Sequence, residues 1–143
     1  MSLYSAILVV LQFLFLGYLM VTGSVSTSWY LLCVQLLGVT IAVWGVITIR
    51  IGNFNIQPEV RSTTLIQHGP YRWIRNPMYT GILLFFLPVM LTQYSITRLI
   101  IYIALIVVFL LKIFREEQLL KIHFGKEYDT FMSRTKRLIP FIY

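Results

Sequence analysis

Cysteine is almost absent from this 143-residue chain: Cys33 stands alone inside an apolar run, so no disulfide can form within one copy. Charge is scarce too, at 12% of residues, and acids are scarcer, with five Asp and Glu against twelve Lys and Arg. Two histidines, His68 and His123, with that single cysteine make a poor metal set. Neither GxGxxG nor GxxxxGK(S/T) occurs, so no Rossmann or P-loop nucleotide site is indicated. HExxH is missing, and no serine sits in a GxSxG elbow. There is no internal repeat, no low-complexity run and no sign of a second domain, so residues 1–143 read as one unit.

What the chain has is apolar length. It is 58% hydrophobic with a mean hydropathy of +0.80, too greasy for a soluble domain. It has room for about four spanning helices of ~20 residues each. The expected class is therefore all-α and polytopic. Leu3 to Val21 forms the first segment; it lacks a basic leader and a convincing cleavage site, and reads as a retained helix rather than a signal peptide. Trp29 to Ile49 forms the second, uncharged and with tryptophan at its edge. The third, Met78 to Gln93, is short and carries Pro88, so it is expected to kink, to start in the interface, or to pair with the fourth as a hairpin. The fourth runs from Ile96 to Phe114.

Charge placement sets the expected orientation. Every basic residue except Arg98 lies either between Arg50 and Pro77 or from Lys112 onward. With four spans both clusters fall on one side, which the positive-inside rule makes cytoplasmic, together with both termini. The net charge of +7 is then read as facing anionic headgroups rather than nucleic acid. The expected location is a cell inner membrane or a membrane of the endoplasmic-reticulum type. Beyond the fourth segment, Leu120, Phe124, Tyr128 and Phe131 share one helical face, the pattern of a C-terminal interfacial helix, which Gly125 weakens or ends.

Against this background "HGPYRWIRNPMYTG", His68 to Gly81, carries more chemistry than a connector needs. Arginine suits a carboxylate or phosphate, glutamate suits ribose hydroxyls or an ammonium, and aromatics can cover an adenine or a sulfonium. Glu116 and Glu117 end the fourth segment near headgroup level, where an ionised carboxylate is costly unless paired or solvated. They read either as a snorkelling helix end paired with Lys112 and Arg115, or as binders of something polar at the membrane face. Trp73 and Tyr79 fit an interfacial belt as well as a binding wall, and His68 fits a turn cap.

Two motifs in order make the chain recognisable. Gly69, Tyr71, Arg75, Pro77, Tyr79 and Gly81, followed by Glu116, Glu117, Leu120, Phe124, Gly125, Tyr128 and Pro140, resemble the integral-membrane methyltransferases typified by the isoprenylcysteine carboxyl methyltransferases. The resemblance runs from about Gln67 to the C-terminus. Asn76 departs from it, standing where those enzymes usually carry histidine, and "NPMY" also looks like the phospholipid N-methyltransferases.

The resemblance implies S-adenosylmethionine bound without a Rossmann domain, and a lipid or lipidated acceptor arriving from the bilayer. It implies cofactor contacts from His68, Gly69, Tyr71, Arg75, Asn76, Pro77, Tyr79, Glu116 and Glu117, with Arg75 and Glu116 as the catalytic pair. Arg75 or His68 would meet a carboxylate, the two glutamates an amino group or ribose, and Tyr71, Trp73 and Tyr79 the adenine and sulfonium. No base stands out in the sequence, which favours O-methylation of a carboxylate over N-methylation of an aminophospholipid. A third reading is a scaffold or transporter subunit whose loop only binds headgroups.

Overall fold

The computed structural model describes residues 3–25, 28–49, 65–92 and 94–143. Arg50, Glu59 and Arg61 of the charged loop therefore lie outside the described residues. Among the described residues five α-helices follow in order: α1 (Leu3–Thr22), α2 (Trp29–Ile49), α3 (Pro77–Thr92), α4 (Ile96–Phe124) and α5 (Lys126–Arg134), with a 3-10 turn at Gly69–Arg72. Helices are what such sequences must form in hydrocarbon, because only a helix satisfies every peptide group within its own segment. Helices α1, α2 and α4 are long and apolar enough to cross a membrane. With 16 residues, α3 is about 24 Å long, short of a ~30 Å core.

α3 packs most extensively on α2, while α4 packs on α1 and on α3. The α2–α3 contact is backbone to backbone. A Cβ added to Gly38 would sit 2.6 Å from the carbonyl oxygen of Gly81, so both positions need glycine for the helices to meet. Gln35 Nε2 donates a hydrogen bond to the Phe85 carbonyl at 3.4 Å. Inside the bundle, Leu19 of α1, Tyr79, Phe86 and Val89 of α3, and Leu105, Phe109 and Ile113 of α4 form one buried cluster, joined by Leu138 from the tail. The outward residues of α1 and α2, such as Phe13, Leu14, Leu36 and Ile47, are exposed and apolar, as lipid-facing surfaces are.

Two expectations change. The fourth helix does not stop at Phe114 but runs ten residues further to Phe124, carrying Glu116 and Glu117 on its last turns. The apolar stripe is not one interfacial helix either: Gly125, at φ +54° and ψ −124°, breaks it into the end of α4 and the start of α5. Tyr128 and Phe131 turn inward to pack on Tyr71, with Leu120 and Phe124 alongside. A face that periodicity alone suggested for lipid is used to hold the motif loop.

Arg98, the one basic residue at the opposite end, has a structural task. Its guanidinium donates from Nε to Thr22 Oγ1 at 3.3 Å and from Nη2 to the Thr22 carbonyl, tying the start of α4 to the last carbonyls of α1.

Candidate active site

The motif loop opens on Gly69, whose φ of +61° is a left-handed conformation that side chains resist. A Cβ there would also meet Thr48 Oγ1 of α2 at 2.7 Å. Pro70 follows at the start of the 3-10 turn, and its carbonyl accepts from Trp73 N at 3.2 Å and Ile74 N at 3.1 Å. This tight turn buries Tyr71 and leaves Trp73 exposed, edge-on to Trp44 with centroids 6.2 Å apart. His68 is exposed and makes no side-chain cap.

From Trp73 to Thr80 the loop is laced to the C-terminal segment. Lys136 N donates to the Trp73 carbonyl at 3.1 Å, and Arg75 N to the Lys136 carbonyl at 2.7 Å, forming a parallel bridge between Ile74 and Lys136. Asn76 donates from both N and Nδ2 to the Arg137 carbonyl, at 3.2 and 3.1 Å. Thr80 Oγ1 reaches the Leu138 carbonyl at 2.7 Å. Asn76 also starts α3: its carbonyl accepts from Thr80 N, and Pro77 occupies the first helical position, where a missing N–H is harmless.

Arg75 reinforces the lacing from its side chain. Nε donates to Glu117 Oε1 at 2.9 Å, while Nη1 donates to the Thr135 carbonyl at 2.6 Å, to Thr135 Oγ1 and to the Met132 carbonyl. Arg137 meets the same carboxylate from the other side, with Nη2 2.9 Å from Glu117 Oε2. That hydrogen bond to Glu117 raises the Arg137 pKa above the ordinary guanidinium value. Arg137 Nη1 in turn donates to Tyr143 Oη at 3.0 Å. Glu117 is thus neutralised by two guanidiniums, and the Arg75 and Glu117 side chains are only 9% and 8% exposed.

Glu116 has different company. Its Oε1 accepts from Tyr79 Oη at 2.8 Å, and the Tyr79 ring stacks on Phe109 with centroids 4.7 Å apart. Lys112 Nζ lies 5.4 Å from the centre of the same ring and donates to Gln12 Oε1 of α1 at 2.6 Å. Tyr71 completes the neighbourhood: burial, and then the charge of Glu116, push its phenol pKa above the usual tyrosine value. It is a neutral donor at physiological pH.

The two sequence motifs therefore converge. Tyr71, Arg75, Asn76, Pro77, Tyr79, Glu116 and Glu117 gather where the loop, the end of α4 and the tail meet, whereas the His68 side chain points outward. The pairing expected between the glutamates and Lys112 or Arg115 is replaced: Glu117 takes Arg75 and Arg137, and Glu116 takes Tyr79. Arg115 Nε is buried without a hydrogen-bond partner. Sequence reasoning missed Gln12, Thr135 and Arg137 as site neighbours, and named Lys112 only as an ion-pair partner for the glutamates. Lys112 carried a signal, being an ammonium within a largely apolar stretch, where ionisable residues are rare and functional.

The site thus sets carboxylates, phenols and arginines at a loop and a helix end, on helices long and apolar enough to cross a membrane. The family model described as "Phospholipid methyltransferase" matches residues 29–127, from α2 to the first turn of α5. The chain belongs to the phospholipid methyltransferase family and is a membrane methyltransferase. No curated protein gave a significant match.

Proposed function

We infer that the chain transfers the methyl group of S-adenosylmethionine to the amine of a lipid headgroup, at the membrane face that carries the two basic clusters. The carrying observation is the Tyr79–Glu116 contact. An ammonium acceptor must lose a proton before it can attack, and Glu116, held by a neutral phenol rather than cancelled by a guanidinium, is a carboxylate able to take it. Arg75 and Arg137, the arginines that join loop to tail, already share Glu117 and are not free to meet a carboxylate acceptor.

The donor set suits the cofactor: phenol faces and a carboxylate complement a sulfonium, which supplies an electrophilic methyl whose carbon–sulfur bond breaks as the new bond forms. Tyr71 and Tyr79 would wall it, Glu116 would accept the acceptor's proton, and the Arg75–Glu117–Arg137 lattice would hold loop and tail in place. Catalysis then rests on alignment and exclusion of water. A groove of about 320 Å³ along α4, floored by Val107, Leu110, Leu111 and Phe114 and headed by Arg137 and Tyr143, suits the acceptor's hydrocarbon chain. In this reading α3 completes four crossings, with both termini cytoplasmic.

Carboxyl O-methylation is the second reading, favoured by Arg137 at the head of that groove. Incubating purified protein with bilayer lipids and labelled methyl donor separates the two. Label in a base-stable methylamine is the expected result, a base-labile ester supports the second reading, and unlabelled lipid rejects both.

A further inference from the structure

Lys112 is 1% exposed. Its partner Gln12 is also buried and comes from α1, which lies wholly outside the region matched by the family model. Burying an ammonium between two apolar helices is unfavourable, and an apolar pair of similar size would hold α1 to α4 at least as well. What the lysine adds is a positive charge in a particular place. It sits beneath the Tyr79 ring, one helical turn before Glu116, within electrostatic reach of that carboxylate. Gln12 fixes it there through a 2.6 Å hydrogen bond.

We propose that Gln12 and Lys112 are a buried positioning pair for the Tyr79–Glu116 contact, so that α1 contributes to the transfer step and not only to membrane anchoring. Gln12 orients the ammonium, the ammonium holds the face of Tyr79, and Tyr79 presents its hydroxyl to Glu116. Neither residue touches the reacting atoms; both act through Tyr79 and Glu116. The proposal rests on the role assigned above to Glu116.

The test uses full-length protein in lipid nanodiscs, with methyl transfer to aminophospholipid as readout. Lys112→Met keeps the length of the side chain and removes its charge. It should lower kcat about tenfold while leaving KM for the acceptor and the dissociation constant of S-adenosylmethionine within about twofold, the pattern of an interaction made in the transition state. Lys112→Arg, which restores a cation over the ring, should recover most of that loss. Gln12→Leu should cost less than Lys112→Met, and the double variant no more than Lys112→Met alone, because the glutamine acts through the lysine. Thermal midpoints serve as the fold control. A wild-type kcat in Lys112→Met, with its fold intact, overturns the pair. So does a loss that Lys112→Arg fails to recover while remaining folded, or additive losses in the double variant. Glu116→Gln in the same assay tests the underlying reading by itself: if it transfers methyl at the wild-type rate, the role of Glu116 fails whatever the lysine variants do.

Discussion

Asn76 directs both its backbone N–H and its side-chain amide at one acceptor, the carbonyl of Arg137, sixty-one residues further along the chain. The residue that departs from the carboxyl-methyltransferase pattern is therefore a strap between loop and tail. Asn76→Ala removes one of the two bonds and should lower stability by about 1 kcal/mol. Thermal unfolding in detergent measures it, and an unchanged midpoint would show that the backbone bond alone suffices.

Arg75 and Arg72 lie three residues apart and should respond differently to lysine. Arg72 is exposed, and Arg72→Lys should leave stability and rate unchanged. Arg75 divides its guanidinium among Glu117, Thr135 and the Met132 carbonyl, a fork that an ammonium cannot reproduce. Arg75→Lys should lose at least ~2 kcal/mol of stability and, with the loop loosened, about thirtyfold in rate. Equal behaviour at both positions would reduce the stretch to a basic collar.

The neighbouring glutamates should separate along the same line. Glu117→Gln leaves two guanidiniums facing a neutral amide and should destabilise by about 3 kcal/mol. Glu116→Gln keeps an acceptor for Tyr79, so its stability should stay within about 1 kcal/mol. Its rate of N-methylation should fall at least about a hundredfold, the usual worth of a positioned base. Melting curves and initial rates on both variants decide this, and a reversed assignment would exchange the roles given to the two carboxylates.

Gly69→Ala should destabilise for two separable reasons. A left-handed φ costs an L-residue about 1–2 kcal/mol, and the new methyl would press on Thr48. Adding Thr48→Ala should recover the packing part and leave the backbone part, so rescue in chemical denaturation should be partial. Full rescue would mean that the conformation carries no strain.

Sidedness follows from the charge distribution. In a Cys33→Ala background, a cysteine at Ser24 should react with an impermeant thiol reagent applied outside intact cells. A cysteine at Ser133, an exposed position of α5, should react only after permeabilisation. Labelling of Ser133→Cys from outside would reverse the orientation.

Much of this protein is legible in its sequence. Uninterrupted apolar runs marked α1 and α2 almost to the residue, because in hydrocarbon a chain without charge has few options besides a helix. The two motifs also told which residues would gather, from Tyr71 to Glu117. Local pattern could not tell who pairs with whom. That depends on how four helices are ordered and rotated about their axes, and on a tail that returns more than fifty residues after the loop it clasps. Lys112 and Arg115 were the cations on α4 expected to pair with the glutamates, yet Glu117 took Arg75 and Arg137, because the lacing of residues 73–80 to residues 135–138 brings those guanidiniums to the same carboxylate. Lys112 was left to face α1 and Gln12. The stripe from Leu120 to Phe131 has the periodicity of a membrane-surface helix, and Tyr71 became its partner only because Gly125 turned α5 inward. Hydropathy and period are properties of a segment; ion pairs and packed rings are properties of the assembled bundle, where segments distant in sequence compete for the same polar atoms.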